Sequence, residues 1–445
     1  MSLSLFNIGR TGLTASRASL EVTAQNIANA ETEGYVRRRI NQVEVAAPGR
    51  VGDNTSAQFN GVRIDSLSRP DLLLVTAEVR RSTSSFAAAE AEVGALTRTE
   101  AALEEAGIFD AIVEFEASLA QLETDPLNSS LRANALEQGR ALAETFQLSS
   151  NAISQSGDYL RLEAQTGVVT VNDLTADLAR TNLALTRVDT GAGGRAALLD
   201  QRDLLLEKLS GEVGIATEFG LNGTVNVRLN DSSGPLLVEL GATATLSANE
   251  QANGILGFAV DGNSVTPLSG AMAGRSNALQ TQVDVLNSLD AIAAGTITAL
   301  NASQASGTAQ DGSAGQPFFS GTGARDIALA ISDGRAIATA PSGSAANSLD
   351  TSNLAALRDA LANGGPAAQT DTLMFDLSNS VRNRSANRDA LGAIAQAAQT
   401  TYAGIAEVDL DQEAANLVRY QQSFEASGRV IQVATELFDT ILGIG

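Results

Sequence analysis

Both ends of the chain repeat apolar residues every seven positions. At the C-terminus Leu410, Leu417, Phe424, Ile431 and Phe438 recur at that spacing, and Tyr420, Ala434 and Ile441 fill positions three further on. Such a repeat is one apolar seam on a long helix, and a seam needs a partner. At the N-terminus Phe6, Leu13, Leu20 and Ile27 keep the same spacing, while Ile8, Ala15 and Val22 lie on a different side of the same helix. Two apolar faces suit a helix packed between neighbours. If the seams pair, the termini lie close together in a coiled-coil-like terminal domain. The surfaces expected to meet other subunits are therefore Phe6, Leu13, Leu20, Ile27, Leu410, Leu417, Tyr420, Phe424, Ile431, Phe438 and Ile441.

A segment of about 33 residues makes a helix roughly 50 Å long. Ser423, Ser427, Gly428, Thr435 and Thr440 lower its intrinsic propensity. Burying each Leu, Ile or Phe of the seam contributes roughly 1.5 to 3 kcal/mol, so packing rather than propensity must hold it. The expectation is that both ends are frayed in a free monomer and become ordered by assembly.

The residues that are missing exclude most chemistries. The chain of 445 residues has no Cys and no His, which removes disulfides, thiol nucleophiles, thiolate metal sites, histidine triads and HExxH zinc sites. Lys208 is the single lysine and sits in the apolar helix pattern Leu204-Leu-Leu-Glu-Lys-Leu209, so a phosphate-cradling loop is excluded as well. No cofactor and no metal are expected, and a carboxylate-only hydrolase is the one enzymatic alternative left. A net charge of -22 argues against nucleic acid or an anionic membrane as partner, since both need Lys and Arg to neutralise phosphate. No run reaches the ~18 consecutive apolar residues of a membrane span. Arg10, Arg17 and Glu21 interrupt the apolar core that a cleavable signal peptide needs.

Aromatic residues make up only 4% of a chain that is 44% hydrophobic, which favours helices packed through Ala, Leu, Ile and Val. After the first helix, Asn29 and Gly34 bracket a helix stop, and Arg37-Arg38-Arg39 opens an extended stretch. These arginines read as a solvated strand edge or as an ion-pairing patch for the acidic surface of a neighbouring subunit. Heptads predict a helix over 72–103, and further helices are expected at 109–122, 131–160, 174–188 and 198–209, with Asp125-Pro126 and Gly191-Ala-Gly-Gly194 as breaks. From Val213 the period changes to two: Ile215, Thr217 and Phe219 alternate, Asn222-Gly223 signals a hairpin, and Val225, Val227 and Leu229 alternate back. Leu236 to Leu240 and Leu256 to Val260 extend this β region, with turns at Asp231-Ser-Ser-Gly234 and Asp261-Gly-Asn263. Helices resume over 279–300, 354–361 and 373–405, with Pro317-Phe-Phe319 as an apolar anchor and a short strand at 327–331 between the first two. Asp311-Gly312 lacks the ligand spacing of a calcium loop.

The expected class is α+β. Long terminal helices over 1–40 and 405–445 form the axial core, a helical bundle spans 41–212 and 270–404, and a small β domain over 213–269 is inserted centrally.

The stretch Asn26-Ile-Ala-Asn-Ala-Glu-Thr-Glu-Gly-Tyr35 resembles the N-terminal motif shared by bacterial flagellar rod, hook and hook-associated axial proteins. Three more stretches narrow the resemblance: Leu199-Asp-Gln-Arg-Asp-Leu-Leu205, Gly312 to Phe319, and Asp409-Leu-Asp-Gln-Glu-Ala-Ala-Asn-Leu-Val-Arg-Tyr-Gln-Gln422. Together they are similar to the flagellar hook-associated protein 1 family, the proteins of the hook-filament junction. The resemblance implies a structural subunit without catalysis, self-associating in a ring, with the hook protein on the proximal side and a second junction protein (hook-associated protein 3) on the distal side. It also implies an export chaperone on the C-terminal helix, type III export without a cleaved signal, and an extracellular place on the flagellum. The nearest alternative is a hook or distal-rod subunit, disfavoured by the long helices and by the Asp200-Gln-Arg-Asp203 stretch.

Overall fold

The computed structural model describes residues 2–46, 59–70, 72–188, 193–362 and 365–443. The helices are α1 (Ser2–Ala28), α2 (Leu73–Ala106), α3 (Ile108–Thr124), α4 (Ser129–Arg187), α5 (Gly193–Glu212), α6 (Ala271–Ala305), α7 (Ser352–Ala362), α8 (Pro366–Ala406) and α9 (Leu410–Gly443). An antiparallel pair, β1 (Arg39–Ala46) and β2 (Phe59–Ser68), follows α1, with Arg39 opposite Ser68 and Ala46 opposite Phe59. The β region follows α5, as expected. It consists of β3 (Ile215–Phe219), β4 (Val225–Leu229), β5 (Leu236–Glu239) and β6 (Ala242–Thr243) in one antiparallel meander, then β7 (Leu246–Glu250), β8 (Leu256–Val260) and β9 (Asn263–Val265) in another. The protein is thus α+β, with long terminal helices and a small central β region.

The chain forms two compact units. The first comprises residues 1–83, 172–244 and 392–445, which include α1, the β1–β2 pair, α5, the four-stranded sheet and α9. Its sheet alternates as the sequence does: Val225, Val227 and Leu229 are buried, and Gly223 turns the β3–β4 hairpin at a φ of 75° that its lack of a Cβ permits. Asn182 near the end of α4 fixes this sheet by accepting from Val225 N at 2.9 Å and donating to the carbonyls of Val225 and Leu240.

The second unit comprises residues 84–171 and 245–391, a helical bundle carrying the three-stranded sheet. The Pro317-Phe-Phe319 anchor is its centre. Phe115, Phe318 and Phe319 are buried with ring centroids 4.9 to 6.3 Å apart, and Asn301 accepts from both Phe318 N and Phe319 N. A Cβ on Gly139 would stand 2.6 Å from the Phe318 ring, so only glycine lets α4 meet that ring. Arg132 is fully buried and donates to the carbonyls of Pro126, Gly334 and Ile337 and to Thr339 Oγ1. It closes a long irregular segment whose backbone would otherwise lack partners.

Two sequence expectations change. The helices expected at 131–160 and 174–188 are one element, α4, of 59 residues. Its buried face continues through Leu160, Ala164, Gly167, Val171, Thr175, Leu178, Asn182 and Leu185, so the helical period persists where the apolar residues thin out. Of the glycine cluster read as a turn, Gly193 and Gly194 open α5, and Gly191 and Ala192 lie outside the described residues. Among the described residues α6 is long and apolar enough to cross a membrane, but Met272, Leu279, Leu289, Ala293 and Leu300 are buried and Gln282 donates to Thr99 Oγ1 and Ile153 O. That is a core helix.

Truncating Arg132 removes its donors from three buried carbonyls, of which Gly334 O keeps the bond from Ile337 N, and leaves a void. Arg132→Ala is expected to lower unfolding free energy by about 2–4 kcal/mol, with Arg132→Lys recovering only part, as read from urea denaturation curves.

Candidate assembly interface

The helices α1 and α9 pair antiparallel within the chain. The side of α1 turned to α9 includes Gly9 and Gly12, and the buried Ser16, Ser19, Thr23 and Asn26 continue that stripe toward the β1–β2 pair and the loop at spacings of three and four. A Cβ on Gly9 would lie 2.7 Å from Ile431 Cγ1, and one on Gly12 2.9 Å from Ser427 Oγ. Small side chains let the backbones approach this closely. The reciprocal side of α9 is Glu413, Leu417, Tyr420, Phe424, Ser427, Ile431 and Ala434, all buried or half-buried. The neighbouring side of α1 rests on the β1–β2 pair, where Thr11 Oγ1 accepts from Val62 N and Ser19 Oγ accepts from Gln42 Nε2.

The loop after α1 is held by its own motif. Asn26 Oδ1 accepts from Tyr35 Oη at 2.9 Å and from Arg38 N at 3.1 Å, and its Nδ2 donates to Arg38 O. Gly34, at φ 75°, presses its bare Cα on Leu204 of α5. Arg37 N donates to Ala406 O, and the Arg37 guanidinium meets Glu413 at 2.6 Å with both side chains nearly withdrawn from water. Residues on either side of α9's start are thereby tied to the loop.

Behind the loop lies an ion network. Arg38 reaches Asp200 Oδ2 at 3.1 Å, and Arg69 and Arg202 converge on Asp203 at 2.7 and 2.6 Å. Arg69 Nε is 3.2 Å from Asp200 Oδ1, but neither atom is aligned for a hydrogen bond. Burial pushes the Asp200 carboxyl up, outweighing Arg69 and Arg38 beside it. Arg202 stacks on Phe219, and burial holds its guanidinium below its ordinary value. Burial likewise pushes the Tyr402 phenol up to about 12. Beside Tyr402, the cavity between Asp203, Glu207, Arg80 and Gly34 holds only about 20 Å³, room for about one water and no substrate.

The expected interface residues divide by surroundings. Leu13, Leu20, Ile27, Leu417, Tyr420, Phe424 and Ile431 are half-buried along the helix pair, whereas Phe6, Leu410 and Phe438 are 41%, 52% and 47% exposed. The Ile441 side chain lies outside the described residues. The α9 heptad therefore faces the small-residue stripe of α1, and Phe6, Leu13, Leu20 and Ile27 flank that contact. Apolar counting passes over the stripe because no member is hydrophobic, although its spacing is helical. Of the three arginines, Arg37 and Arg38 serve internal ion pairs and only Arg39 is exposed.

The two ends place the chain among the structural proteins of the bacterial flagellum: residues 6–35 match the flagella basal body rod protein and residues 402–444 the C-terminal part of the flagellar basal body rod FlgEFG protein. Residues 96–319 match the flagellar hook-associated protein FlgK helical domain, and the chain belongs to that family. It is 25% identical to flagellar hook-associated protein 1 of Bacillus subtilis over 98% of this chain and 97% of that protein. It is 24% identical to the protein of that name from Salmonella typhimurium over 71% of this chain and 59% of that one. The flagellar hook junction protein FlgK of Burkholderia pseudomallei shares the fold, with a TM-score of 0.50 and 22% identity over 54% of this chain and 46% of that one.

Two substitutions test this geometry. Gly9→Val forces α1 from Ile431 and is expected to expose both helices to limited proteolysis, while Gly9→Val with Ile431→Ala regains protection. Burial raises the Glu207 carboxyl, and Glu33 adds to the effect. The unfolded chain gives up this proton first, so its contribution to stability is complete in acid and is lost as pH rises through the raised value. Glu207→Gln is therefore expected to raise the Tm at about pH 7 and leave it unchanged at about pH 3, measured by differential scanning calorimetry.

Proposed function

We infer that the chain is a structural subunit seated between hook and filament, self-associating in a ring through its terminal helices. The observation that carries this reading is the outer end of the helix pair. There Leu5 and Phe6 of α1 and Val430, Val433, Leu437 and Phe438 of α9 are each between 36% and 52% exposed. Apolar side chains gathered at one end of a helix pair favour contact with further protein. In the same reading the paired terminal helices, over 1–40 and 405–445, are the axial core. The hook protein is the proximal partner, a second junction protein the distal one, and an export chaperone covers α9 before assembly. A chain with no disulfide to break suits threading by type III export to an extracellular site.

A structural role without catalysis is supported by the engagement of Asp200 and Asp203, the carboxylates at the centre of the ion network, by arginines. The long α2, α4, α6 and α8 favour this reading over that of a hook subunit, whose middle is β-rich.

Deleting residues 410–445 is expected to leave the second unit folded, with a cooperative melt, while abolishing incorporation at the hook tip. Phe424→Asp puts a charge in the α9 seam and is expected to act in the same direction. Electron microscopy of purified hook-basal bodies and a motility assay read both outcomes; normal filament attachment in either strain would remove the basis of the reading.

A further inference from the structure

The groove between α1, the start of β1 and α9 encloses about 360 Å³ and is lined by Arg37, Arg38, Arg39 and Arg419 against one carboxylate, Glu413. Arg37 is spent on Glu413 and Arg38 on Asp200. Arg39 and Arg419 are exposed, and neither meets a carboxylate among the described residues; Arg419 leans on Asn416 and on the Tyr420 ring. A basic groove is conspicuous in a chain with 51 acidic and 29 basic residues. Unpaired arginines at the rim of a partly desolvated groove form a receptor for carboxylates.

The complementary surface is on the same helix. Asp411, Glu425, Glu436 and Asp439 are exposed and fall within a sector about 80° wide at 100° per residue, where Arg429 is the one basic residue against four carboxylates, on the side of α9 turned away from the α1 seam. No arginine reaches them among the described residues, and Glu436 accepts only from Gln432 Nε2.

We propose that the Arg39–Arg419 groove of one copy receives the acidic outer face of α9 from a second copy. The groove and the acidic face are different surfaces, which in a ring-forming subunit pair head-to-tail, and head-to-tail contacts close into rings or continue as helices. Exposed ion pairs contribute little individually, so this contact sets register and rejects wrong alignments, while the apolar end of the helix pair supplies affinity. The proposal rests on the junction-subunit reading and specifies which surfaces meet.

A charge exchange tests it. In cells expressing full-length protein, Arg39→Glu with Arg419→Glu, and separately Glu425→Arg with Glu436→Arg, are each expected to lower the amount in purified hook-basal bodies about tenfold, because like charges then face each other. The quadruple variant, with the charges exchanged, is expected to regain at least half of the wild-type amount. Wild-type incorporation by both double variants, or a quadruple variant no better than either, overturns the proposal. Should far-UV circular dichroism show a double variant unfolded, Arg39→Gln with Arg419→Gln decides: reduced incorporation supports the groove, and wild-type incorporation overturns it. Absence of the wild-type protein from hook-basal bodies would instead strike the junction reading.

Discussion

The distance between α1 and α9 governs the terminal unit. Gly9 and Gly12 leave so little between the backbones that Ile431 and Ser427 occupy the space where a Cβ would stand. A contact of this kind buries modest apolar area, so hydrophobic burial alone would hold it weakly. It is fastened instead by polar groups of strict geometry: Asn26 closing the loop on Arg38, and Arg37 closing on Glu413. A buried guanidinium and carboxylate gain little over apolar residues of the same shape, but removing either strands the other in a dry site at a cost of about 3–5 kcal/mol. The pair therefore specifies one arrangement more than it adds stability.

That division of labour explains where the apolar residues went. Because small and polar side chains satisfy the contact within the chain, Leu5, Phe6, Val433, Leu437 and Phe438 stay at the outer end, each more than a third exposed. Charge is similarly biased, with arginines prevailing at the loop and groove and carboxylates outnumbering Arg429 on the far side of α9. A subunit arranged this way satisfies its internal contacts by shape and hydrogen bonding and keeps its adhesive surfaces for others.

Much of this is legible in the sequence. The α9 heptad places the inward seam because Leu417, Phe424 and Ile431 are large and apolar, and the change of period at Val213 locates the β region. The stripe on α1 and the middle of α4 escape because many of their buried positions are Gly, Ser, Thr and Asn. Hydropathy ranks those residues as surface, while close packing places them inside. The role of Asp200 and Asp203 escapes for another reason. In sequence they stand on a helix as a charged face, and only the fold brings Arg38 and Arg69 from more than a hundred residues away to cover them.

The tie between Arg37 and Glu413 joins residues 376 positions apart. Closing so long a loop from an open chain costs roughly 5 kcal/mol in entropy, whereas the ion pair itself adds little stability. The intervening polypeptide must fold first and shorten the effective loop, bringing Ala406 beside Arg37. Until then α1 and α9 stand far apart along an open chain, wherever that folding takes place. Completion of the terminal pair is thus a late event that depends on every element between the two helices.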